Sequence, residues 1–124
     1  MISLVVVAVG GALGALGRYA VNGLVYPLMG TKFPLATLVV NVSGSVLMGI
    51  FYVLIIEKGA LAPEWRNFLM VGLLGAFTTF STFSLDALAL WQNGHLLLAL
   101  VYIFLNVALC LAGIGLAIYI TRLL

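Results

Sequence analysis

The chain alternates long apolar runs with short polar punctuation, and four such runs stand out. The first extends from about Ile2 to Tyr26 and is closed by Pro27 and Gly30, and the second from about Pro34 to Ile56, closed by Glu57, Lys58 and Gly59. Pro34 sits where a first-turn proline belongs, because the N–H it lacks has no helical partner there. The third run begins at Pro63 or Trp65 and reaches about Trp91, with Gln92-Asn93-Gly94 as the turn; the fourth runs from His95 to about Thr121. A bilayer-spanning helix needs roughly 20 residues, so the pattern predicts an all-α membrane protein of four transmembrane helices. A single domain over residues 1–124 is expected, with no room for a soluble one. The first run lacks the basic stretch and early stop of a cleavable leader and is expected to remain as a span. Trp65, Trp91, Tyr26 and Tyr119 fall near the predicted ends, where amphipathic rings settle at the interface.

Composition sharpens this picture. The chain is 65% hydrophobic and 6% charged, against about 25% charged in a soluble domain, which excludes a water-soluble globule. The net charge of +2 invites a nucleic-acid reading, but Arg18, Lys32, Lys58, Arg66 and Arg122 stand singly, without the basic stripe such binding requires. Nucleic acid is excluded as a partner. Lys58, Arg66 and Arg122 fall on one side of the predicted bundle and Lys32 on the other, so the Lys/Arg bias that orients membrane proteins is small. Such a chain is expected to insert both ways. Cys110 is alone, and no Cys/His cluster has the spacing of a zinc site. Gly10-x-x-x-Gly14, Gly72-x-x-x-Ala76 and Gly113-x-x-x-Ala117 read as seams that let helices approach closely. Four short helices bury little against one another, which points to self-association.

Polar residues at bilayer depth are costly and mark a pathway or a partner. The third run carries Thr78-Thr79-Phe80-Ser81-Thr82-Phe83-Ser84 near its middle. Preceded by Gly72-Leu73-Leu74-Gly75-Ala76, this cluster suits a helix broken at the midplane, whose freed backbone groups the hydroxyls satisfy. The alternative is a continuous helix with hydroxyls bonded back to its own carbonyls. Transporters and channels bind ions at such breaks. Phe77, Phe80 and Phe83 recur every third residue, either as packing or as a lining. Ring edges are positive and suit an anion, whereas faces suit a cation, and the sequence leaves the choice open.

Thr37, Asn41 and Ser45 share one stripe of the second helix, as Tyr102, Asn106 and Cys110 do on the fourth. These either bridge helices or line a water-accessible path, in which asparagine N–H groups would replace an anion's hydration shell. Arg18 lies inside an apolar run and either snorkels to the interface or forms an electropositive vestibule. Asp86, near the exit of the third helix, is expected to cap or pair. No nucleophile, base and orienter stand together, so no enzyme is expected.

Gly10-Gly11-Ala12-Leu13-Gly14-Ala15 leading to Arg18-Tyr19, Thr37-Leu38-Val39-Val40-Asn41 followed by Gly44-Ser45, and Gly75 with Phe77 to Ser84 together resemble the Fluc (CrcB) fluoride channels of bacteria and archaea. The likeness covers essentially the whole chain. Ala36 and Ala76 stand where the family usually has glycine, and Asp86 where it more often has Glu. The resemblance implies an antiparallel, dual-topology homodimer in the bacterial inner membrane, with two fluoride pores and a structural Na+ at the dimer interface. It implies ring edges from Phe80 and Phe83, an N–H from Asn41, hydroxyls from Ser81 and Thr82, and a fourth-helix track of Tyr102, Asn106 and Cys110. Gly75 and Thr78 would offer carbonyls to sodium. The function implied is passive export of cytoplasmic fluoride, conferring fluoride resistance. The runner-up is a small multidrug-type cation exporter, but that class resembles this chain only in size and helix number: it carries an acid in its first helix, where this chain has Arg18. A non-transporting helper subunit is the third reading.

Overall fold

The computed structural model describes residues 1–28 and 32–124, and Gly30, expected to close the first helix, lies outside them. Four helices long and apolar enough to cross a membrane follow one another: Ile2–Val25, Leu35–Glu57, Arg66–Gln92 and Leu96–Leu123. They are called spans one to four below. Each agrees with its predicted run to within a few residues, because a bilayer-length apolar run leaves little freedom in where a helix starts and stops.

The stops have local causes. Gly94, at φ 83°, takes the left-handed conformation that costs glycine nothing, and the N–H of His95 reaches back to the Leu90 carbonyl at 2.8 Å. That bond closes span three in a Schellman turn. Gly59, at φ 62°, ends span two in the same left-handed region. Span two finishes in wider π-type turns over Tyr52–Glu57, and span three begins in them over Arg66–Leu74.

The glycine seams are where backbones meet. A Cβ at Gly10 would stand 2.6 Å from the Phe68 carbonyl, and one at Gly72 would stand 2.8 Å from that of Val7. Gly14 presses on the Leu73 carbonyl. Only a missing side chain allows spans one and three to approach this closely. On the other side, a Cβ at Gly49 would meet the Ile114 carbonyl at 2.8 Å, and Gly113 faces Val46, which joins spans two and four.

Span three is not one helix. Its first half, residues 66–77, packs chiefly on span one, while its second half, Phe80–Gln92, packs on span four. Between them Thr78 (φ −83°, ψ 159°) and Thr79 (φ −151°, ψ 120°) are extended. Two extended residues let one span change neighbours halfway across. The buried cluster of Leu38, Phe83, Ala87, Leu90, Ala99 and Tyr102 fixes the second half against spans two and four. The outer faces of spans one and four are apolar and exposed, as helices surrounded by lipid or by another copy require.

Candidate functional site

The break is held by side chains. A continuous helix would pair the Thr79 N–H with the Gly75 carbonyl and the Thr82 N–H with that of Thr78. Instead, the Thr79 N–H donates to Asn41 Oδ1 at 2.8 Å. The Thr82 N–H donates to the hydroxyl of Thr79 at 3.1 Å, which makes Thr79 the N-cap of the second half. These two diversions release the Gly75 and Thr78 carbonyls from their helical partners. A third freed carbonyl, that of Ala76, accepts Arg18 Nε at 3.2 Å. Arg18 therefore sits at the negative, C-terminal end of a half-helix, where a cation is stabilised.

Asn41 completes the arrangement from span two. Its Nδ2 donates to the Thr79 carbonyl at 3.1 Å and to Asn106 Oδ1 at 3.1 Å, so one carboxamide serves both backbone groups of Thr79. Asn106, itself buried, donates Nδ2 to the Tyr102 carbonyl one turn back at 3.1 Å. Both N–H groups of Asn41 are engaged, and contact with an anion requires one of these bonds to be exchanged.

Two cavities flank this core. One, of about 390 Å³, is lined by Asn41, Ser45, Thr78, Phe80, Phe83, Asn106 and Cys110 among others. It gathers most of the residues singled out in the sequence. The other, of about 480 Å³, lies nearer the end of the bundle and is lined by Asn22, Lys32, Phe33, Thr37, Thr82 and Asp86 among others. Thr82 thus belongs to the second cavity. Arg18 lines neither, being held at Ala76.

An aromatic series connects the two. Phe80 meets Phe83 at 5.4 Å and 60°, Phe83 meets Tyr102 at 5.4 Å and 44°, and Phe33 stands edge-on to Tyr102 at 5.5 Å and 89°. Edge-on pairs leave positive ring edges directed sideways. Tyr102 is fully buried, and its hydroxyl donates to Asp86 Oδ2 at 2.9 Å; the same oxygen accepts from Thr37 at 2.8 Å. Asp86 therefore pairs, as expected, and two hydroxyls from different spans are its partners. Tyr102 shares a face with Asn106 and Cys110, yet its polar tip is turned to Asp86.

Ser81 and Gly75 are exposed on the outside of span three, and Phe80 is 76% exposed. The Ser81 hydroxyl lies 3.4 Å from that of Thr79. Sequence reasoning did not single out Phe33 or Asn22, which stand in loop-proximal positions without a distinguishing pattern. Among the described residues, no group of three or more His, Cys, Asp or Glu side chains could hold a metal; the released carbonyls are the oxygen donors on offer.

Comparison with known proteins points to one family. The family model described as CrcB-like protein, Camphor Resistance (CrcB), matches residues 5–118. A protein of Saccharophagus degradans named fluoride-specific ion channel FluC is 56% identical over 116 residues, covering 94% of this chain and 86% of its own. A Hahella chejuensis protein of the same name is 50% identical over 121 residues, covering 98% and 95%. One from Coxiella burnetii, again so named, is 41% identical over 121 residues, covering 97% and 98%. With four spans, a broken third one and a match along nearly its whole length, the chain belongs to the CrcB-like family of multi-pass inner-membrane proteins.

Proposed function

We propose that this protein is a fluoride-selective ion channel that carries cytoplasmic fluoride out of the cell passively and so confers fluoride resistance. The observation that carries the reading is the cavity at the break, which an asparagine amide and two phenylalanines line together. Its relatives are named fluoride-specific ion channels, which supports the same substrate here. Fluoride is small and strongly hydrated, so a pore must replace its water with donors. Asn41 supplies an N–H, Phe80 and Phe83 supply ring edges, and the hydroxyls of Ser81 and Thr82 continue the route. Asn106 and Cys110 form the polar wall from span four, with Tyr102 at its end. Arg18, held at the first half-helix, adds positive charge near the path.

Fluoride enters acidic surroundings' cells as neutral HF and is trapped as the anion inside. A negative-inside potential then drives it outward with about 2.3 kcal/mol per charge per 100 mV, so neither ATP nor a coupled ion is needed.

The working form is an antiparallel homodimer with two pores. The weak Lys/Arg bias supports dual insertion, and the exposure of Phe80, Ser81 and Gly75 on a lone chain supports a second copy against span three. The carbonyls of Gly75 and Thr78 fit a structural Na+, because they are hard oxygen donors freed at the negative end of a half-helix. When bound, the ion supplies positive charge that offsets carbonyl dipoles converging from both copies.

Purified protein in potassium fluoride-loaded liposomes is expected to release fluoride on addition of an ionophore and to retain chloride in a parallel run. Comparable chloride release, or transport only under a proton gradient, would overturn the reading; the latter outcome would favour the cation exporter.

A further inference from the structure

We infer that Asn106 is a positioning residue that holds the outer N–H of the Asn41 carboxamide at the cavity wall and so steadies the grip of Asn41 on the break. A carboxamide has an accepting end and a donating end, and nothing in its shape prefers one orientation. Here three backbone groups of fixed polarity hold a chain of two amides. At one end the Tyr102 carbonyl, which can only accept, takes Asn106 Nδ2. At the other end the Thr79 N–H, which can only donate, is taken by Asn41 Oδ1, and the Thr79 carbonyl, which can only accept, takes Asn41 Nδ2. Between them Asn106 Oδ1 accepts Asn41 Nδ2. Turning Asn41 over would set N–H against the Thr79 N–H and oxygen against both the Thr79 carbonyl and Asn106 Oδ1, and turning Asn106 over would set N–H against N–H at Asn41 and oxygen against the Tyr102 carbonyl. The direction is therefore fixed all along the chain.

The consequence for selectivity follows from where the chain lies. Asn41 and Asn106 both line the cavity at the break, and Asn106 is only 4% exposed, so its Oδ1 is a fixed neighbour of the half-buried Asn41. An arriving anion exchanges with an acceptor that is already neutral and in place. Without Asn106 Oδ1, the carboxamide of Asn41 is held by its two bonds to Thr79 alone and the break is gripped less firmly. The role differs from ion contact: Asn106 acts through Asn41 and the break.

This inference rests on the channel reading for its effect on flux but not for its effect on the break. The test compares Asn106→Leu, which removes the acceptor at similar size, with Asn106→Ser, whose hydroxyl accepts from Asn41 while donating to the Tyr102 carbonyl. Asn106→Ala takes the place of the leucine variant if that protein is not folded. Two quantities are read: fluoride efflux from liposomes, and hydrogen exchange at the Thr79 amide by NMR in nanodiscs. Losing the acceptor is expected to speed Thr79 exchange about tenfold and to slow efflux by a similar factor, and Asn106→Ser is expected to restore both. Slower efflux with unchanged Thr79 exchange would overturn the inference, since Asn106 would then act on the ion itself. Unchanged exchange and efflux in Asn106→Leu would overturn it equally. Absence of efflux in the wild type would instead sink the channel reading, while the exchange comparison would still decide the amide chain.

Discussion

Gly44 lies directly against the side chain of Thr78, where a Cβ on span two would overlap the threonine methyl. Thr78 cannot easily turn away, because it is β-branched and its hydroxyl is bonded to the Leu74 carbonyl at 2.9 Å. Gly44→Ala is therefore expected to displace the break, at a cost of about 1–3 kcal/mol, and to reduce fluoride efflux. Gly115→Ala serves as the contrast, since a Cβ there meets nothing within 4 Å. Thermal denaturation in detergent, beside efflux, checks both; equal stability of the two variants would contradict the contact.

Phe80 and Phe83 separate by burial, at 76% and 8% exposed. Phe83→Ile should lose about 0.5–1.5 kcal/mol of aromatic contact with each of Tyr102 and Phe80, whereas Phe80→Ile loses only its pair with Phe83 and should destabilise the dissociated chain less. Both should cut efflux strongly while the dimer still forms on size-exclusion chromatography. Full efflux in both variants would return these rings to packing alone.

Tyr102 and Asp86 should be energetically coupled. Asp86→Ala leaves the buried Tyr102 hydroxyl without its acceptor, which costs about 1–3 kcal/mol. Tyr102→Phe removes the donor, so the double variant should be more stable than the sum of single losses implies. A coupling of about 0.6–1.7 kcal/mol is expected for a bond within the membrane, and a cycle that closes to zero would exclude the bond.

Removal of sodium should stop conduction if the Gly75 and Thr78 carbonyls hold that ion. Protein prepared and assayed with sodium exchanged for a large organic cation, and the exchange confirmed by elemental analysis, is expected to lose efflux and recover it on sodium addition. Full efflux in sodium-free protein would leave the released carbonyls without that role.

Dual insertion is checked by labelling. Ala60→Cys on a Cys110→Ala background places one thiol in the connection after span two, and an impermeant reagent should label about half from each face of the membrane. Two or three added lysines in that connection should bias insertion, abolish activity alone and allow its recovery on co-expression with an oppositely biased copy. Labelling from one face, with activity retained, would mean parallel protomers.

The spans were legible because bilayer thickness fixes helix length, and the break was legible because five hydroxyls clustered at mid-span have no place on a lipid-facing helix. Its position was less so. The glycines at 72 and 75 drew attention upstream, yet the backbone extends at Thr78 and Thr79, where Asn41 and the Thr79 hydroxyl replace the lost helical bonds. The stripe of Thr37, Asn41 and Ser45 was readable from its spacing. Its partners were not, since Thr37 meets Asp86 and Asn41 meets Thr79 across different spans. Arg18 was noticed for its charge, but its partner is a backbone carbonyl, which every residue has and no sequence distinguishes.

The grip of Asn41 on Thr79 also bears on how the protein is made. Span two leaves the ribosome before span three, so the carboxamide is already in place when the break arrives. Asn106 comes later, in span four, after an interval on the order of seconds at roughly 5–20 residues per second. During that interval the break is latched by Asn41 alone, without the further acceptor on Asn106. Biogenesis thus has two stages, and the outer N–H of Asn41 gains its acceptor from span four only when the last span has docked.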